Sequence, residues 1–111
     1  MSSISAIVPS GAALPISSSP ARPRRATTRS LAVELGPHGV TVNAIAPGTT
    51  ASERVVAVRG REGLEEIGRA APLGRVAEVE DMVGWILFLA APESAHLTGQ
   101  TISVNGGRYM A

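Results

Sequence analysis

The stretch Gly39–Pro47, GVTVNAIAP, decides how the chain is read. Apolar and β-branched residues fill most of its positions instead of every second one. A strand with one wet face alternates, whereas a strand of a parallel sheet is covered on both faces and reads as a nearly continuous apolar run. The stretch is therefore expected to be an interior strand. TISVN at 101–105, closed by Gly106 and Gly107, reads as a second strand. Between the two, Val79, Met82, Val83, Ile86, Leu87 and Ala90 recur at helical spacing and stop before Pro92, which predicts an amphipathic helix over 79–90. Strand, helix, strand in this order implies a parallel pair with a right-handed crossover, the unit of doubly wound α/β folds.

Upstream, a helix is expected to begin near Arg24 with Thr27 or Thr28 as its cap. Leu31, Ala32 and Leu35 share one of its faces, and Gly36-Pro37 stops it. Trp85 lies off the main apolar face of the 79–90 helix and reads as a packing or interface residue. Residues 49–75 form a weakly patterned connection, with short helices at 53–58 and 62–71 interrupted by Gly60, Gly63 and Gly68. Residues 1–26, rich in Ser, Pro, Ala and Arg, hold no sustained period of 2 or 3.6 and are expected to be irregular. Pro20 and Pro23 are expected to break any helix there.

Composition narrows the function. The chain has 111 residues, 44% of them hydrophobic and 17% charged, as in a single globular domain. There is no cysteine, so disulfides, thiolate metal sites and a cysteine nucleophile are excluded together. No apolar run approaches the ~20 residues of a membrane span, and no basic segment followed by an apolar one opens the chain. A cytoplasmic location is expected. His38 and His96 lack carboxylates at ligand spacing, so no metal site is expected. Arg22, Arg24, Arg25 and Arg29 form a small basic cluster without interleaved aromatics, which argues against nucleic-acid binding. All ten basic residues are arginine; the sequence contains no lysine.

Three motifs in order, TRSLAVELGPHGVTVNAIAPG, APLGR and LTGQTISVNGG, resemble the C-terminal half of a short-chain dehydrogenase/reductase of the 3-oxoacyl-acyl carrier protein reductase type. The resemblance covers residues 27–107 closely and 2–15 loosely. It implies a fragment of a Rossmann sheet, with about two parallel strands and two or three helices. Residues 27–111 would be the C-terminal part of that domain and residues 1–26 a remnant of its catalytic segment. The implied activity is NAD- or NADP-dependent oxidoreduction of alcohol and carbonyl groups.

The resemblance also implies which residues would meet the cofactor. Pro47, Gly48, Thr50 and Ser52 match the positions that contact the nicotinamide carboxamide, with Ser52 standing where threonine is usual. The catalytic segment of the family is a serine, then a tyrosine and a lysine. Ser3 matches the serine, but Ile16 and Pro20 occupy the tyrosine and lysine positions, or Ser17 and Ala21 when counted back from the helix. The family's tyrosine is a general acid whose pKa the lysine lowers. Tyr109 is the sole tyrosine, so no register assembles the pair. The glycine-rich turn that cradles the cofactor pyrophosphate has no counterpart either. The N-terminal half is therefore expected to be absent, the chain inactive as it stands, and its cofactor binding doubtful. A second expectation is a non-catalytic interaction module. Residues 79–90 and 101–105 match elements with which relatives pair subunits, so the partner would be a second copy or a full-length relative.

Overall fold

A computed structural model describes the backbone of residues 2–9 and 14–110, and the side chains of residues 25–110. Strands β1 (Ser2–Pro9) and β2 (Leu14–Pro20) come first, followed by helix α1 (Ala21–Leu35) and strand β3 (Val40–Pro47). Helices α2 (Glu53–Arg69) and α3 (Val79–Ala90) and strand β4 (Thr101–Val104) complete the order. The four strands form one sheet in the order β2-β1-β3-β4. The β3–β4 pair is parallel, with Ala44 opposite Thr101 and Pro47 opposite Val104. The class is α/β, as the sequence predicts.

The interior position of β3 accounts for its composition. Val42, Asn43, Ala44 and Ile45 are each 2% exposed or less, so consecutive residues on opposite faces are equally dry. Ile45 packs with Met82 and Leu89 of α3, and Ala77, Ile86, Leu97, Ile102 and Val104 surround that cluster. Helix α1 also packs on β3, contributing buried Ala32 and Thr28. Beyond the four paired residues of β4, the segment before it continues the ladder. Ala44 N–H donates to Gln100 O at 2.8 Å and Gly99 N–H to Val42 O at 2.7 Å. Thr98 Oγ1 accepts from Val42 N–H at 3.0 Å.

Asn43 shows why a polar residue sits in that strand. Its Nδ2 donates to Leu97 O at 3.0 Å and its Oδ1 accepts from Gln100 N–H at 3.1 Å. The amide is buried and bonded at both its nitrogen and its oxygen, which holds the 97–100 segment against β3.

Several expectations differ from the structure. Of residues 1–26, those at 2–9 and 14–26 are not irregular. β1 runs antiparallel to β3, with Ile4 opposite Ile45 and Pro9 opposite Val40, and β2 runs antiparallel to β1. The free row of amides and carbonyls on β3 attracts a pairing partner whatever the local period of the neighbouring sequence. Helix α1 starts at Ala21 and passes through Pro23 and position 26. Pro23 falls in the first turn, where an amide has no intrahelical acceptor to lose, so it does not break the helix. Finally, α3 buries Met82 and Leu89, while Val79, Val83 and Leu87 of the expected face lie exposed.

The 53–69 region is two helical stretches that meet at Gly60, whose φ of 70° and ψ of 165° lie outside the helical range, so the expected break at Gly60 is present. Gly63 does not interrupt the second stretch, and Gly68 serves packing. A Cβ at Gly68 would lie 2.9 Å from Arg75 Cα and from Val76 N.

Replacing Asn43 by Ala leaves Leu97 O and Gln100 N–H without their partner. Stability in urea is expected to fall by about 2 kcal/mol, with a lowered midpoint as the readout. An unchanged midpoint would show that the 97–100 segment is held by other contacts.

Candidate functional site

The C-terminal ends of parallel strands are where open α/β sheets bind ligands, and here the end of β3 is built in detail. Pro47 closes the strand, and Gly48 N–H donates to Val104 O at 3.0 Å, one step past the β3–β4 register. Glycine at 48 permits a close approach, since a Cβ there would lie 3.1 Å from both Cα and Cβ of Asn105. The chain then crosses to a second segment. Ala77 N–H donates to Thr49 O at 3.0 Å and Ala51 N–H to Ala77 O at 2.8 Å, a bridge centred on Thr50 and Ala77. Thr50 Oγ1 donates to Gly48 O at 3.2 Å, and Ser52 caps α2, its Oγ accepting from Val55 N–H at 3.4 Å. Pro47, Gly48, Thr50 and Ser52 are all half-buried, on one continuous turn. The structure thus brings these four expected residues together.

The segment that receives Thr50 is itself anchored. Arg75 forms a two-pronged ion pair with Asp81, Nη1 to Oδ2 at 2.7 Å and Nη2 to Oδ1 at 3.0 Å, and also donates to Val76 O at 3.1 Å. Asp81 Oδ2 accepts a further bond from Glu78 N–H at 2.7 Å, closing the first turn of α3. The Arg75 guanidinium first, and then the Glu78 amide, hold the Asp81 carboxyl at about 2, below its ordinary 3.8. The carboxylate raises Arg75 in turn. The APLGR motif carries Arg75, but nothing in its spacing identifies Asp81 as the partner.

Ser3 lies in β1 opposite Ser19 of β2; Ile16 lies opposite Ser5 and Pro20 opposite Ser2. Their side chains lie outside the described residues, as do those of Ser17 and Ala21. The strand pattern of TISVN gives Asn105 no site role. That residue lines a small recess of about 20 Å³ with Thr49, Gly68, Ala77 and Arg108, and its value lies in the approach of Gly48, which spacing does not reveal.

The helix N-termini nearby bear on charge. Ser52 already caps α2, and Glu53 sits in its first turn; α3 begins with Glu80 and Asp81. Neither start offers the uncovered, electropositive amides that hold phosphate. The turn after β3 thus presents backbone groups and two hydroxyls, with neither of these helix starts left open for a phosphate.

Residues 24–108 match the family described as Enoyl-(Acyl carrier protein) reductase, and the chain belongs to the short-chain dehydrogenase/reductase family. It is 46% identical over 87 residues to the short-chain reductase protein NovJ of Streptomyces niveus, a match covering 73% of this chain and 33% of that protein. It is 37% identical over 83 residues to the 3-oxoacyl-[acyl-carrier-protein] reductase FabG of Vibrio cholerae, covering 75% of this chain and 34% of FabG. The crystal structure of a 3-oxoacyl-[acyl-carrier protein] reductase from Brucella melitensis superposes with a TM-score of 0.72 at 39% identity, covering 78% of this chain and 32% of that one. The chain spans about a third of the length of the curated relatives it matches.

A depressed acid stabilises the fold where it is ionised and its unfolded counterpart is also ionised. The Arg75–Asp81 contribution is therefore present in full above the ordinary carboxylate value of 3.8 and is lost as pH falls through about 2. Asp81→Asn is expected to lower the thermal midpoint at neutral pH, with the gap to the parent closing as pH drops across that window. A gap independent of pH would assign the effect to packing.

Proposed function

We propose that the chain is the C-terminal, nicotinamide-side part of an NAD(P)-dependent oxidoreductase acting on alcohol or carbonyl groups, and that residues 1–111 do not catalyse the reaction by themselves. The observation that carries this reading is the turn after β3. Pro47, Gly48, Thr50 and Ser52 are gathered at the C-terminal edge of a parallel pair and tied to both β4 and Ala77. Backbone groups and two hydroxyls there suit a neutral carboxamide, which they would orient with one face towards the site. When bound, the cofactor supplies or accepts the hydride. Thr50 and Ser52 position and do not transfer protons, since both hydroxyls are engaged with the backbone. Relatives carry names that agree with such chemistry; YwfH, for one, is described as an NADPH dependent reductase.

The inactivity follows from acid–base chemistry. Carbonyl reduction in this family needs a phenol as proton donor with a lysine beside it. Tyr109 lies past β4, 60% exposed, and the sequence has no lysine to place beside any phenol.

Self-association with a second copy is the reading favoured by α3. Leu87 is 65% exposed and Val79 and Val83 are close to half exposed, while Trp85 and Phe88 stand edge to face at 6.1 Å on the same helix. They leave an open apolar cleft with Gly84 and Asp81. So much uncovered apolar surface on one helix without a basic residue suits a like surface.

Residues 1–111 are expected to give no NADH or NADPH turnover above background with simple ketones or acetoacetyl-CoA. Grafting residues 24–108 into V. cholerae FabG in place of the matching segment is expected to preserve carbonyl reduction. Within that graft, Thr50→Val is expected to cost roughly tenfold, the scale of one hydrogen bond. An inactive but folded graft would overturn the nicotinamide-side assignment, and turnover by the free chain would overturn its inactivity.

Light scattering on the free chain tests the second reading. A dimer or larger species is expected, reduced to monomer by Leu87→Glu.

A further inference from the structure

Asn105-Gly106 is the single Asn-Gly pair in the sequence, and the turn after β4 gives it a particular geometry. Arg108 N–H donates to Asn105 O at 3.2 Å, and Gly106 and Gly107 both have positive φ, 64° and 86°, as a type I′ turn requires. The Asn105 carboxamide folds back over that turn. Gly107 N–H donates to its Oδ1 at 3.0 Å, while its Nδ2 donates to Tyr109 O at 3.0 Å.

Two consequences follow for the carboxamide carbon, Cγ. The neighbouring nitrogen belongs to glycine, so no side chain opposes its approach. Among the described residues, no hydrogen bond engages that Gly106 N–H. The Gly107 N–H, meanwhile, is aimed at the oxygen on which negative charge develops when a nucleophile adds to Cγ, the placement by which an amide stabilises an oxyanion.

We propose that Asn105 is a site of self-catalysed deamidation in the folded chain. Gly106 N gives its proton to hydroxide and bonds to Asn105 Cγ. The Cγ–Nδ2 bond then breaks, Nδ2 takes up a proton from water, and ammonia leaves a five-membered succinimide. One water adds to either ring carbonyl, and ring opening gives aspartate or isoaspartate. Overall one water is consumed and one ammonia released, and nothing is oxidised or reduced. The product matters because of where it forms. An isoaspartate routes the main chain through the former Cβ, lengthening it by a methylene beside Gly48, where a Cβ would already lie 3.1 Å from Asn105 Cα and Cβ. An aspartate sets a carboxylate against Tyr109 O in place of the amide donor. Either product loosens the turn that carries Gly48 and Thr50, and this holds whether or not a nicotinamide binds there.

Asn43, 1% exposed and with both ends of its amide bonded, is an internal control. The full chain is kept folded in mildly alkaline heavy-oxygen water, digested with trypsin and mapped by mass spectrometry, beside a sample unfolded in urea. The expected result is an amide-to-acid mass increase with one heavy oxygen in the 76–108 peptide, at Asn105, forming no more slowly than in the unfolded chain. The peptide carrying Asn43 should remain unchanged in the folded sample. Asn105→Gln is expected to abolish the increase. Should that variant not fold, the parent mapping still decides. A folded chain that stays intact while the unfolded one converts would show that the turn protects Asn105, and an increase mapped to Gln100 or Asn43 would overturn the assignment as well.

Discussion

Every part of this fold answers to the buried backbone of β3. A strand with both faces covered cannot turn its amides and carbonyls to water, so both edges must be paired within the chain. One edge is met by β4 and by the loop before it, in continuous register from Val42 to Gly48. The other is met by β1. The two faces are covered by α1 and by α3, the latter through Met82 and Leu89. Asn43 belongs to the same requirement, because its side chain adds hydrogen bonds to Leu97 O and Gln100 N–H beside the backbone ladder.

This dependence explains what could be read from the sequence. The run at 40–47, the 79–90 helix and the strand at 101–104 are each local statements of burial, and they stand close to where their patterns place them. The hairpin of β1 and β2 has no such local signature. Ser2–Pro9 pairs because β3 offers an edge, and an edge is a property of the folded neighbour. The observed face of α3 differs from its periodicity for a related reason. Trp85, Phe88 and Leu89 extend the apolar positions beyond the face of Val79, Met82, Val83, Ile86 and Leu87 to more than half of the helix circumference, so periodicity alone allows several orientations. The sheet selects the one that brings Met82 and Leu89 onto Ile45.

The site was legible in part. Pro47, Gly48, Thr50 and Ser52 are contiguous, so any fold that ends a strand at Pro47 keeps them together. What positions them comes from far along the chain and carries no spacing signal. Asn105 packs against Gly48, Ala77 bridges Thr50, and Arg75 is clamped to Asp81 so that the bridging segment cannot drift. The chemistry of each residue type was visible, while its partner was not.

The electrostatics of the same region limit what the turn after β3 can recognise. Near it, the helix macrodipoles are already answered from within the chain, by Ser52 and Glu53 at α2 and by Glu80 and Asp81 at α3. A dianionic ligand group would meet acidic side chains at both starts, and two like charges at contact distance repel even where water screens them. Arg75 is neutralised by the two-pronged pair with Asp81, while Arg108 lines the recess beside Thr49 as well. A neutral amide meets none of these costs. Its carbonyl and amino group can exchange water for backbone partners at little net expense. At these two helix starts a neutral group therefore meets less opposition than a dianionic one, because the acidic first turns already answer the macrodipoles.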